Sequence, residues 1–318
     1  MLSGLPLAEL ALLLVAGVAF DLLLGEARRW HPLVGFGRLA HALEARINRA
    51  SGRLARGVLA WMLAVLPPVL AAACLAWVLP DTAAMLLHAF LLYFALGLRS
   101  LREHTIPIFR ALRAGELDEA RRLTGRIVSR DTRDASASDL AKAGAESLLE
   151  NGNDAVFGTL FWFLVAGGPG ALLFRLANTL DAMWGYRSER FNLFGRAAAR
   201  IDDVLNFVPA RLTALSYVLL APRGGHGRAW RCWRAQAPAW SSPNAGPVMA
   251  SGAGALGIAL GGAARYDGVV EQRPPLGLGR DAAPVDVVRA WRLVLGTTLL
   301  WLGAVCTLAL LVWGAGHA

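Results

Sequence analysis

The sequence predicts an all-α, polytopic integral membrane protein with about four to six membrane-embedded helices, some broken or re-entrant, plus cytoplasmic helical segments. Three observations predict it. Hydrophobic residues make up 56% of the chain and charged residues 17%, with mean hydropathy +0.46, whereas soluble domains carry about 25% charged residues. Several apolar runs are long enough to cross about 30 Å of hydrocarbon. One of them is interrupted by Gly167-Gly168-Pro169-Gly170, and broken helices at membrane depth occur where they are buried in protein or line a cavity.

The elements follow in order. Residues 5–24 form a first apolar helix. No basic residue precedes Arg28, so a cleaved signal is not expected and the helix is retained. Residues 57–80 form a second span, which the Pro67-Pro68 pair should kink, and 82–98 a third, joined to it by a tight turn at Pro80-Asp81. Residues 26–56 hold Arg28, Arg29, Arg38, Arg46, Arg49, Arg53 and Arg56 against Glu26 and Glu44. This excess places the loop in the cytoplasm and the N-terminus outside. Residues 99–154 read as a cytoplasmic helical insertion, with Leu117, Ala120, Leu123 and Ile127 on one helical face. The apolar stretch 155–177 can cross once, or go down and back as two half-helices. The second path is favoured because it leaves the polar residues on both sides of it on one cytoplasmic face. Residues 204–221 are ambiguous, 247–264 are rich in small residues suited to helix packing, and 222–290 read largely as a Gly/Pro-rich cytoplasmic loop segment. Residues 291–314 are the last span. The whole, 1–318, reads as a single membrane domain.

The net charge is +9, and Lys142 is the one lysine among 32 basic residues. The arginines sit beside apolar runs, which fits lipid headgroups and topology signals and argues against a nucleic-acid partner. The three cysteines show no C-x-x-C or Cys/His spacing, so zinc and iron–sulfur sites are not expected.

Five stretches carry polar groups suited to chemistry. In SRDTRDASASDLAKAGAESLLENGNDAVFG (129–158), Ser136 or Ser138 can cap a helix on which Lys142, Glu146, Glu150 and Asp154 share a face. Such a carboxylate row suits a divalent cation; the bland alternative is a solvated charged face. In NTLDAMWGYR, Asn178 and Asp181 are helical neighbours, while Trp184 and Tyr186 suit an interface belt. In FGRAAARIDDVLNFVPARLTAL, Asp202 stands four residues before Asn206, and Arg211 lies in an apolar stretch, as a functional group or a snorkelling one. His31 in WHPLVGFGR either meets a substrate or ends a helix. Asn244 in SPNAGP is a turn residue by default. The formal G-x-G-x-x-G at Gly252, Gly254 and Gly257 lacks a preceding strand, so a dinucleotide fold is not indicated.

These stretches, in this order, together with LREHTIPIFRAL and RIVSRDT, resemble the CobD/CbiB family of cobalamin biosynthesis, adenosylcobinamide-phosphate synthase. The resemblance runs from about residue 21 to 290. It implies an enzyme, an acid–amine ligase of the cell (inner) membrane with a cytoplasmic active site. The implied reaction joins the ring D propionate of adenosylcobyric acid to (R)-1-amino-2-propanol or its O-phosphate by ATP-dependent amide formation. Implied cofactors are ATP and Mg²⁺, with the corrinoid as substrate. Implied partners are the lipid bilayer and other late corrin-pathway enzymes. On chemical grounds, Glu146, Glu150, Asp202 and Asp203 would hold Mg²⁺, and Arg130 and Arg211 would hold phosphate. Asp131 or Asp181 would orient or deprotonate the amine, and Asn178, Tyr186, Asn244 and His31 would contact the substrate. The alternatives are a transporter of a corrinoid or small polar solute, and a scaffold recruiting soluble pathway enzymes.

Overall fold

The computed structural model describes residues 4–26, 32–49, 51–266 and 268–315. Among these residues twelve α-helices run in the order α1 (Leu7–Leu24), α2 (Pro32–Ile47), α3 (Arg53–Val78), α4 (Asp81–Ala95), α5 (Leu98–Ala114), α6 (Leu117–Thr124), α7 (Ala137–Gly152), α8 (Gly158–Trp184), α9 (Arg196–Leu219), α10 (His226–Gln236), α11 (Ala245–Leu256) and α12 (Pro284–Ala315). A π-helical turn, Asn153–Phe157, separates α7 from α8. The strands β1 (Ile258–Tyr266), β2 (Val269–Leu276) and β3 (Arg280–Asp281) lie between α11 and α12. Among the described residues, five helical stretches are long and apolar enough to cross a membrane: 7–24, 53–78, 81–114, 137–184 and 284–315. The protein is an all-α polytopic membrane protein carrying one small sheet.

The chain separates into two compact units. The first comprises Met1–Gly97, Gly158–Asn206 and Ala304–Ala318, the second Leu98–Phe157 and Phe207–Gly303.

In the first unit α1, α3 and α4 pack around α8. Helix α3 stays continuous through Pro67 and Pro68. Small residues let helices meet closely: a Cβ on Gly17 of α1 would lie 2.5 Å from Leu92 Cδ2 of α4. Helix α8 is two half-helices. Ala166 leaves helical geometry and Gly167 adopts φ +64°, ψ −152°, a region that glycine enters at little cost. The chain doubles back there. A Cβ on Gly158 would fall 2.1 Å from Phe174 Cζ, and one on Gly170 would fall 2.3 Å from the Trp162 carbonyl oxygen. On a straight helix, positions 158 and 174 would be roughly 24 Å apart. The down-and-back path expected from the Gly-Gly-Pro-Gly break is the one the protein takes.

A break in apolar surroundings leaves backbone groups that need partners. The Gly168 N–H donates to His88 Nδ1 of α4 at 2.8 Å, and His88 is buried. Replacing His88 by Ala is expected to destabilise the fold by about 1–3 kcal/mol, the cost of an orphaned buried donor. Thermal denaturation in detergent checks this, and His88→Asn, which keeps an acceptor, should recover part of the loss.

In the second unit α7 begins with a capping box: the Asp139 N–H donates to Ser136 Oγ, and the Ser136 N–H donates to Asp139 Oδ2. Of the two serines considered as caps, Ser136 is the one used; Ser138 Oγ instead donates to the Ala282 carbonyl. Gly144 and Gly152 of α7 lie against Val287 and Val294 of α12. Every residue of α11 is buried, as its small side chains allow. The stretch expected to be mostly loop is therefore largely ordered as α10, α11 and a β-hairpin. Strands β1 and β2 pair antiparallel from Tyr266↔Val269 to Leu260↔Leu276, with an irregularity at Gly261/Gly262. Both glycines have positive φ, 70° and 73°, which suits a bulge. Short β3 pairs parallel with the start of β1. Gly-Gly in β1 and Pro-Pro in β2 hide the two-residue alternation by which strands are usually read.

Candidate active site

Most of the expected site residues gather in two polar clusters, one in each unit. That of the second unit is centred on Glu146 of α7, which is 6% exposed. Arg130 Nη1 approaches its Oε2 at 3.0 Å. Arg273 of β2 donates through Nη1 and Nη2 to Oε2 and Oε1, both at 3.2 Å. The Gly261 N–H at the bulge donates to Oε1 at 2.7 Å. The bulge turns an N–H away from the strand ladder and toward α7, so the irregularity of β1 serves this contact. Arg273 Nε donates to the Gly262 carbonyl, and its guanidinium lies 5.6 Å from the centre of the Trp240 ring.

Arg130 lines two cavities. One, of about 270 Å³, also takes in Asp131, Asp134, Lys142 and Arg265. The other, of about 170 Å³, takes in Glu146, Ser147, Glu150, Tyr266 and Arg273. In the first, the acids are engaged: Asp131 Oδ2 accepts from the Gly268 N–H at 2.8 Å, Asp134 pairs with Arg265, and Asp139 belongs to the cap. Of the expected site residues, Arg130, Asp131, Glu146 and Glu150 are thus neighbours. Arg211 and Asn244 pair elsewhere in this unit: Arg211 Nη1 donates to Asn244 Oδ1 at 2.8 Å, and Nη2 to the Pro243 carbonyl. Arg211 here ties α9 to the residues that open α11.

The cluster of the first unit joins α8 to α9. Asn178 Nδ2 donates to Asp202 Oδ1 at 3.3 Å, and Asn206 Nδ2 donates to Asp202 Oδ2 at 3.0 Å. Asp202 is 8% exposed. Burial pushes its carboxyl up, to about 6; the two amide donors work against that rise, and the neighbouring Asp203 charge adds to it. Asp203 lies 3.7 Å from Arg200, and its carboxyl is also raised by burial. Asp181 lies on α8, its carbonyl accepting from the Gly185 N–H; a Cβ at Gly185 would strike Asp181 Oδ1 at 2.1 Å. Tyr186 is 57% exposed beyond the end of α8. The loop leading to α9 is tied down by Arg190, whose guanidinium pairs with buried Glu44 of α2, and by Arg53, which donates to the Glu189 carbonyl. His31 lies outside the described residues.

Among the described residues no three His, Cys, Asp or Glu side chains stand close enough to hold a metal ion. Mg²⁺ needs fewer, since it takes one or two carboxylates plus substrate phosphate. Asp202 and Asp203 fit that need: each Asp202 oxygen accepts one amide donor and keeps a lone pair. Glu146 fits it poorly, because both of its oxygens already face guanidinium groups.

Arg273 is the participant that the sequence did not point to. It sits in the stretch read as loop, and its only local signal is a charge in front of Pro274-Pro275.

The comparisons with known proteins agree with one another. The CobD/Cbib protein family model matches residues 14–294. A cobalamin biosynthesis protein CobD of Stutzerimonas stutzeri (strain A1501) is 54% identical over 304 residues, covering 94% of this chain and 96% of its own length. One from Chromobacterium violaceum is 54% identical over 316 residues, covering 97% and 99%. One from Mycobacterium tuberculosis (strain ATCC 25618 / H37Rv) is 40% identical over 281 residues, covering 86% and 88%. No solved structure matches. With a family model matching most of its length and relatives this similar almost end to end, the chain belongs to the CobD/CbiB family.

Proposed function

We propose that this protein catalyses an amide-forming step of cobalamin biosynthesis at the cytoplasmic face of the cell (inner) membrane. It joins the ring D propionate of adenosylcobyric acid to (R)-1-amino-2-propanol or its O-phosphate. The observation that carries this reading is the near-full-length similarity to proteins named for cobalamin biosynthesis. The same names give no support to a corrinoid transporter.

A carboxylate does not condense with an amine unaided near neutral pH. ATP with Mg²⁺, when bound, would supply the activation of the propionate: its terminal phosphoryl group would pass to the carboxylate with release of ADP, to leave as phosphate when the amine attacks. The residues of the chain then have three tasks. Asp202 and Asp203 would hold the magnesium, with Asn178 and Asn206 fixing the rotamer of Asp202. Arg130, close to Glu146 and with most of its side chain covered, would hold a phosphate group in the planar, two-pronged manner of arginine. Asp131 or Asp181 would orient the amine or accept its proton. Asn178, Tyr186, Asn244 and His31 remain the groups suited to the amide-rich rim of a corrin. Arg211, engaged with Asn244 and the Pro243 carbonyl, supports this rim rather than a phosphate.

Membranes containing the protein, supplied with adenosylcobyric acid, aminopropanol phosphate, ATP and Mg²⁺, are expected to form the amide, seen by mass spectrometry. A well-folded preparation that forms none under these conditions removes the reading.

A further inference from the structure

The cavity of about 170 Å³ between α7 and β2 is lined by two arginines and two glutamates, Arg130, Arg273, Glu146 and Glu150. Their pairing is lopsided. Glu146 forms ion pairs with both arginines and accepts hydrogen bonds from Arg273 and the Gly261 N–H. The Glu150 carboxyl group makes no hydrogen bond or ion pair among the described residues, although the Glu150 backbone carbonyl accepts from the Asn153 N–H. On the other side, Arg130 is 10% exposed and keeps a buried Nη2 with no hydrogen-bond partner. One acceptor and one donor are left over, of opposite charge, on residues lining the same cavity.

A buried donor without a partner is costly, and a ligand can relieve that cost. The leftover groups ask for a molecule with an oxyanion at one end and an ammonium at the other. Size narrows it further. Pockets for drug-sized ligands run to about 300–1,000 Å³, so this one excludes a nucleotide or a macrocycle and admits a short-chain molecule.

We infer that this cavity is the binding site for the amine substrate, a small aminoalkyl phosphate, with Glu150 holding the ammonium group and Arg130 Nη2 the phosphate. Glu146 is a positioning residue: it holds both guanidinium groups and leaves one Arg130 nitrogen to the ligand. The inference rests on the amide-forming reading above and gives Glu150 to the amine rather than to magnesium.

The test is equilibrium binding to the full chain in detergent, with EDTA and without corrin or ATP. The probes are 1-amino-2-propanol O-phosphate, 1-amino-2-propanol and isopropyl phosphate. The unmodified protein should bind the first about tenfold or more tighter than either half-molecule. Glu150→Gln should keep its affinity for isopropyl phosphate and lose the added contribution of the amine. Arg130→Met should keep its affinity for aminopropanol and lose that of the phosphate. If thermal melting shows that one variant is unfolded, the other carries the test. Unchanged affinity for the aminoalkyl phosphate in the folded variants overturns the site. So does binding that appears only with Mg²⁺ and loses that dependence in Glu150→Gln. Intact binding without amide product would count against the proposed reaction and leave the site standing.

Discussion

Glu146→Ala is expected to destabilise the second unit strongly, costing roughly 3–5 kcal/mol, because it leaves paired charges largely buried without their partner. The side chains of Arg130 and Arg273 are 10% and 16% exposed, and both lean on the one carboxylate. Its loss also strands the Gly261 N–H. The measurement is the denaturation midpoint in detergent. Glu146→Gln keeps an acceptor for Gly261 but removes the charge, so it should fall between the unmodified protein and Glu146→Ala. A midpoint for Glu146→Ala equal to that of the unmodified protein would show that the arginines repartner easily and that the cluster does not organise this unit.

Asp202→Asn should act oppositely on stability and on turnover. The folded protein holds the Asp202 carboxyl above its ordinary range through burial. Such a group binds its proton more tightly in the folded than in the unfolded chain, so stability falls as pH rises through the interval from the unfolded value to about 6. Above that interval the charged form is retained at a cost, which the neutral amide removes, with Asn178 turning its side chain to offer oxygen to the new amide nitrogen. The variant is therefore expected to melt higher than the unmodified protein at pH 7.5 without ligands. Its amide-forming turnover should nevertheless drop by about two orders of magnitude or more, since mutants lacking a charge-stabilising group commonly lose that much. Undiminished turnover would remove Asp202 from the proposed magnesium site.

Much of the fold was legible because membrane helices announce themselves through length and apolarity. The re-entrant path of α8 was readable for a different reason: Gly167 supplies the positive φ and Pro169 cannot continue the hydrogen-bond ladder. The hairpin of β1 and β2 was not readable, since its defining bulge replaces side-chain alternation with Gly261-Gly262. The neighbourhood of Arg130, Glu146 and Glu150 followed partly from helical spacing, because Glu146 and Glu150 are one turn apart. Arg273 did not follow, since it approaches from 127 residues away. Likewise, the four-residue step from Asp202 to Asn206 was visible in the sequence, but the contribution of Asn178 from 24 residues earlier depends on tertiary packing.

The segments of the two compact units alternate along the polypeptide, which passes from one to the other at 97/98, 157/158, 206/207 and 303/304. Neither corresponds to a stretch that a ribosome releases in one piece. The first remains incomplete until its closing segment, Ala304–Ala318, has emerged, and the second until Gly303. Translation and membrane insertion therefore present half-built intermediates whose apolar surfaces wait for later segments. Excising either unit as a contiguous fragment would discard part of its own core, so functional dissection of this protein has to proceed by point substitution rather than by truncation.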